Sequence, residues 1–352
     1  MRGGLVALVA LCGVAHADED YGKGTIVFAR GQALLRVDAK GRGETEIATF
    51  TATGPVRALQ TDAKGTVLLV DIAGAWGWMP LDGSTKTITS LPCLAGPATL
   101  ADDASAVVCR GAKDGKTAVI VLATNRAFIV DVPVAGARVV ATAAGMRLVW
   151  ADASGIWSAP PNDLKQKAQL APEPPLRELV VSLDGTRAIG VYTGEVFADN
   201  RHKKAAEILM GFQLDGVGAR RKAIKNAVPL DWSHDAMWIL AQDAGSACLM
   251  SSHGGEYKCW SGYRAMSTAP DGRWTLVLGN RDGSKQAPTK APPPKPPAED
   301  ATDDDAPPDV AVAMPTGPQS LFRARLEGAF TEKPVLLVRV IDGAAVWVPA
   351  SP

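Results

Sequence analysis

The chain has 352 residues and a formal net charge of zero, from 37 Lys and Arg against 37 Asp and Glu. That balance excludes the basic excess that usually marks a nucleic-acid binder. A hydrophobic fraction of 47% supports a sizeable core, and 35 Gly with 25 Pro suits a chain built from many turns rather than long helices.

Residues 1–17 read as a secretory signal peptide. Arg2 supplies the charged start, Leu5 to Leu11 the short apolar run, and Ala15-His16-Ala17 the small-x-small cleavage pattern. The mature chain is expected to begin at Asp18 and to be exported, periplasmic or secreted. A buried N-terminal strand or helix is the alternative. Cys12 follows Leu11 where a lipidation signal needs a small residue, so lipidation is not expected. No stretch is long and apolar enough for a mature transmembrane segment.

Three strands are predicted next, over Thr25–Arg30, Ala33–Asp38 and Thr45–Thr49. A repeating unit then begins. Its clearest copy has strands at Val56–Gln60, Thr66–Ile72, Ala75–Pro80 and Thr85–Thr89, with turns at Asp62-Ala63-Lys64-Gly65 and Asp82-Gly83. Later copies open near Ala98, Arg138, Arg177, Pro229 and Arg264, at intervals from about 35 to about 52 residues. A four-stranded propeller blade repeats every 40–45 residues or so. Runs such as Thr66–Val70 and Val119–Leu122 are nearly continuous in Val, Ile and Leu, as expected of a sheet packed on both faces.

Four cysteines remain after the signal: Cys93, Cys109, Cys248 and Cys259. They allow three pairings. Counting outward from a His253-Gly254 turn sets Cys248 opposite Cys259, near disulfide separation. Cys93 and Cys109 pair by default. Free buried thiols are the alternative in a reducing compartment.

Two insertions stand out. Thr193–Ala206 lies between the second and third strands of the Arg177 unit and carries Arg201, His202, Lys203 and Lys204. A helix is predicted over Asp199–Met210. Residues 283–318 hold Ala291-Pro292-Pro293-Pro294-Lys295-Pro296-Pro297 and Asp303-Asp304-Asp305, a composition predicted to form a disordered loop inside the last blade. Alternatively, that stretch is an interdomain linker. Second-to-third-strand loops share one face of a propeller, so this face is the expected partner surface, with Arg201–Lys204 as its candidate loop. Tolerated surface padding is the competing reading.

The C-terminal Ala344–Pro349 is one spare strand, and the N-terminal group lacks an innermost one. Pairing them completes a blade and leaves no open edge. The fold class is therefore all-β, a single β-propeller over residues 18–352. Seven blades is the favoured count, with six or eight open.

Ala269-Pro270-Asp271-Gly272-Arg273-Trp274 resembles the PD40 repeat of TolB-like, WD40-like propellers, whose pattern is Ser-Pro-Asp-Gly-Lys before an apolar strand. Ser182-Leu183-Asp184-Gly185 is similar. Asp62-Ala63-Lys64-Gly65 and Ser233-His234-Asp235-Ala236 resemble degenerate copies. The resemblance implies the fold and little about function. A TolB-like chain also carries an α/β domain ahead of its propeller, and here the first strand directly follows the signal.

No catalytic, cofactor or metal site is predicted. His202, His234 and His253 show no metal-ligand spacing, and no nucleophile elbow or P-loop occurs. The nine Trp residues fall mostly in strands at matching blade positions and read as core. The expected function is a non-enzymatic binding or scaffold module for another envelope or extracellular protein, acting as a monomer. The alternative is a propeller enzyme of glycan lyase or hydrolase type. Clustered carboxylates, His and Arg in the central channel would favour the enzyme, and a plain channel mouth the binder.

Overall fold

The computed structural model describes residues 22–280 and 319–350, apart from 53, 135, 173–175, 183–184, 198–202, 215–219, 226, 234–235, 244, 253–256 and 327–332. The described residues form seven four-stranded antiparallel sheets, the blades of one propeller. Blade one joins β1 (Thr25–Arg30), β2 (Ala33–Asp38) and β3 (Thr45–Thr49) to the last strand, β28 (Ala345–Val348), in the order β28-β1-β2-β3. Blade two holds β4 (Val56–Thr61), β5 (Val67–Ile72), β6 (Ala75–Pro80) and β7 (Thr89–Ser90). Blade three holds β8 (Cys93–Leu100), β9 (Ala106–Gly111), β10 (Thr117–Val121) and β11 (Arg126–Val130). In blade four are β12 (Arg138–Thr142), β13 (Gly145–Asp152), β14 (Gly155–Ala159) and β15 (Ala168–Ala171). Blade five has β16 (Leu176–Val181), β17 (Arg187–Phe197), β18 (Lys203–Gln213) and β19 (Arg220–Lys225). Blade six has β20 (Val228–Trp232), β21 (Trp238–Asp243), β22 (Ser246–Ser251) and β23 (Tyr257–Ser261). Blade seven is β24 (Arg264–Thr268), β25 (Trp274–Asn280), β26 (Gln319–Arg325) and β27 (Val335–Ile341).

The core lies between the blades, as seven apolar clusters that each join two neighbours. Strand β1 shows why its sequence is continuously apolar. Side chains alternate across a strand. Val27 and Ala29 therefore face blade two, against Leu68 and Val70. Ile26 and Phe28 face blade seven, against Leu276, Leu278 and Leu321. Strand β28 seals the ring the same way: Val346 and Val348 enter the first of these clusters, and Ala345 and Trp347 the second. The expected closure by the two termini is present, with Ile26 opposite Trp347.

Three local expectations need correction. The fourth strand of blade two is Thr89–Ser90, not Thr85–Thr89; its outer position is polar and exposed, so little fixes its start. Thr66 precedes β5 because its backbone and hydroxyl both donate to Asp62. The helix predicted over Asp199–Met210 is strand β18 from Lys203 onward. The helix-compatible run Ala205–Met210 is overridden by an unbroken antiparallel register with β17, from Arg187↔Gln213 to Phe197↔Lys203. Residues 281–318, which join β25 to β26, fall outside the described residues, as do residues 1–21.

Candidate functional site

The innermost strands β28, β4, β8, β12, β20 and β24 surround a central cavity of about 280 Å³. Side chains tie these strands edge to edge. Gln60 Nε2 donates to Ala98 O at 2.8 Å, and its Oε1 accepts from Leu100 N at 3.0 Å. Thr99 Oγ1 donates to Ala137 O at 3.1 Å, and Thr268 Oγ1 to Trp232 O at 3.2 Å. The Thr99 bond sets the start of β12 level with the end of β8. It brings Arg138, the first residue of β12, beside the β8–β9 turn.

That turn repeats a device seen elsewhere in the ring. In blade two, Gly65 N donates to Asp62 O; in blade seven, Gly272 N donates to Ala269 O. Both glycines sit in the left-handed region, at φ 66° and 67°, which glycine enters freely. Ala104 N donates to Ala101 O in the same way, with Ala104 at φ 59°. Ala101-Asp102-Asp103-Ala104 is therefore a further degenerate copy of the repeat, one with neither the glycine nor a polar first residue to mark it in sequence. The first turn residue holds the turn together. Asp62 accepts from Lys64 N, Thr66 N, Thr66 Oγ1 and Val67 N. Ser182 and Ser233 accept from Arg187 N and Trp238 N. The second turn residue faces the cavity instead: Ala63, Asp102 and Pro270 all line it.

The cavity also carries Arg57, Arg138, Asp231 and Arg264. Asp62 is thus saturated with donors, and Asp231 accepts from its own Trp232 N at 2.8 Å. Asp102 differs. Among the described residues its half-buried carboxyl receives no hydrogen bond. Burial pushes it up to about 7; Arg138 opposes the rise, and Asp231, Asp103 and Asp62 add to it. Neither Arg138 nor Arg57 makes an ion pair or side-chain hydrogen bond with a described residue. Burial pulls the Arg264 guanidinium down, though arginine stays charged throughout the physiological range. The channel is polar and charged rather than plain, a feature sequence spacing did not reveal because its residues come from different blades. Among the described residues no group of three or more His, Cys, Asp and Glu is placed to hold a metal ion.

The expected partner loop lies partly outside the described residues. Arg201 and His202 are among those not described; Lys203 and Lys204 open strand β18. What was read as a loop is mostly a ribbon. Among the described residues, β16 pairs with β17 as far as Tyr192, and β19 with β18 as far as Ile208. Beyond those points, among the described residues, Thr193–Phe197 and Lys203–Glu207 pair with each other. His253 and His234 are outside the described residues. Cys93 is bonded to Cys109 between β8 and β9, and Cys248 to Cys259 at directly opposed positions of β22 and β23.

No known protein family matches the chain, and no curated protein matches it in sequence. Solved structures match its fold. TolB from Acinetobacter baumannii has 8% identity over 92% of this chain and 82% of its own, with a TM-score of 0.45. A functionally unknown protein from Desulfotomaculum acetoxidans has 9% identity over 93% and 99%, with a TM-score of 0.49. The dihydro-heme d1 dehydrogenase NirN, in complex with DHE, has 11% identity over 93% and 75%, with a TM-score of 0.47. The likeness to TolB-like propellers is one of fold. No described helix is long and apolar enough to cross a membrane.

Proposed function

We propose that this chain is an exported, non-enzymatic propeller that binds another protein of the envelope or extracellular space through the face bearing the β17–β18 ribbon. The ribbon carries the reading. Its five outer pairs, Thr193↔Glu207 to Phe197↔Lys203, extend past the described pairing with β16 and β19, a length of roughly 17 Å at about 3.3 Å per residue. Among the described residues they pair with no third strand. A ribbon edge that no described strand covers presents the backbone donors and acceptors used when a partner strand adds to an edge. The Arg201-His202-Lys203-Lys204 run favours an acidic partner and predicts binding that weakens with salt. Export is supported by the signal pattern of residues 1–17 and by two disulfides, which persist in oxidising compartments. The test replaces Gly194–Ala206 with an Asn-Gly turn. The variant should keep its melting temperature and lose the partner crosslinked from envelope extract. Recovery of that partner in undiminished yield sinks the reading.

One observation favours the enzyme alternative. A carboxyl held near 7, with the Asp231 carboxylate acting on it, suits general acid–base chemistry. This reading requires turnover of some member of a glycan panel that is lost in Asp102→Asn; a panel with no turnover at all counts against it.

A further inference from the structure

The channel has more donors than its own walls can use. The guanidinium of Arg138 offers five N–H groups, and no described residue accepts from them or pairs with them. Arg57, exposed on β4, lines the same cavity and also acts on the Asp71 carboxylate. Asp102 carries a carboxyl that no described donor reaches. Arg138 and Asp102 are each partly exposed, so a ligand entering the cavity meets polar groups that no described residue has engaged by a hydrogen bond. Asp62 cannot supply the missing acceptor, since its oxygens already take four hydrogen bonds from its own turn. A cavity of about 280 Å³ is at the small end of ligand sites, which typically run from roughly 300 Å³ upward.

We propose that the central channel binds a small ligand bearing an oxyanion, carboxylate or phosphate, gripped by Arg138 and hydrogen-bonded by the Asp102 carboxyl, with Arg57 adding positive charge in the same cavity. The arginine is suited to two parallel N–H bonds to such a group. The protonated carboxyl supplies one further donor. The inference goes beyond the protein-binding reading, and neither requires the other: the ribbon deletion leaves the channel intact.

Acidity links to this site with a definite sign. Asp102 is faced by Arg138 from β12, by Asp231 from β20, by Asp62 from the β4–β5 turn and by its neighbour Asp103. Protonated, Asp102 donates to the anion; ionised, it repels it. Binding therefore takes up a proton and weakens by up to about tenfold per pH unit above neutrality.

The experiment is calorimetric titration of the disulfide-bonded chain from Asp18 onward, at low salt and pH 6.5 and 8, with succinate and inorganic phosphate in separate arms. The expected result is saturable binding of at least one anion, tighter at pH 6.5. Succinate alone would identify a carboxylate site and phosphate alone a phosphate site. Arg138→Gln should weaken binding by tenfold or more. Asp102→Asn keeps a donor and cannot ionise, so it should bind succinate, which is ionised at both pH values, with little difference between them. Arg126→Gln, on outer strand β11, controls for general charge and should bind like the parent. Circular dichroism checks that each variant is folded; if Arg138→Gln is not, Arg57→Gln takes its place, with a smaller loss expected. No saturable binding in either arm, or equal weakening by the Arg126 and channel variants, overturns the proposal.

Discussion

Trp347→Ala tests whether the last strand closes the ring. Trp347 is 2% exposed and packs in the cluster that joins blades one and seven, with Ile26, Phe28 and Leu276. Its Nε1 donates to Lys23 O at 2.9 Å. Truncating a buried Trp to Ala costs about 3–5 kcal/mol, and the lost hydrogen bond adds about 1 kcal/mol. A whole domain is typically stable by about 5–15 kcal/mol, so the variant should retain about half of its stability. Trp157→Ala is the comparison. That side chain is half-buried on outer-lying β14, beneath Lys167 at 4.4 Å, with its Nε1 on Asp152 Oδ1 at 3.1 Å. Its loss should cost only about 1–2 kcal/mol. Urea unfolding followed by far-ultraviolet circular dichroism reads both, with the slope m unchanged in each. If Trp347→Ala loses less than about 1 kcal/mol, or no more than Trp157→Ala, β28 does not hold the ring together as its contacts require.

Two further outcomes follow from the same geometry. Burial raises the Asp102 carboxyl from 3.8 to about 7 in the folded chain, so the folded state binds more protons than the unfolded state between those values. Stability should therefore fall as pH rises from about 4 to about 7, then level off. Asp102→Asn should flatten that slope and exceed the parent in urea midpoint at pH 8; parallel midpoints at pH 5 and pH 8 would contradict it. Reduction of the two disulfides opens loops of 16 and 11 residues, each worth about 2–3 kcal/mol. Melts with and without reductant should separate clearly, and peptide mapping of the oxidised chain should link Cys93 to Cys109 and Cys248 to Cys259; coincident melts would count against a stabilising role.

Sequence predicted β1, β2 and β3 to the residue, because short apolar runs there are bounded by Gly31, Gly41 and Gly43. It was weakest where tertiary context decides. The outer strands are exposed and polar, so nothing in Thr85–Ser90 marks where pairing with β6 starts. Ala205–Met210 favours a helix locally, and only its long register with β17 makes it a strand. The closing strand was legible for a different reason: the count of strands left one over at each end, and an open sheet edge is costly enough that the two should meet.

The channel residues were hidden by the repeat and are recoverable from it. Asp102, Arg138 and Asp231 lie in three blades, so no spacing rule links them. Yet Asp102 occupies the same turn position as Ala63 and Pro270, and all three line the channel. In the Ser182 and Ser233 copies that position is Leu183 and His234. The residue before it spends its side chain on the turn in three copies, as Asp62, Ser182 and Ser233, and is alanine in the Ala101 and Ala269 copies, where a backbone hydrogen bond closes the turn. The position after it has no such duty. A propeller of this kind can therefore change what its channel presents, from apolar at Ala63 and Pro270 to acidic at Asp102, one blade at a time, while the backbone hydrogen bond that closes each turn stays where it is. Asp102 is the acidic instance of that freedom, and its carboxyl receives no hydrogen bond from a described residue because the turn asks nothing of it.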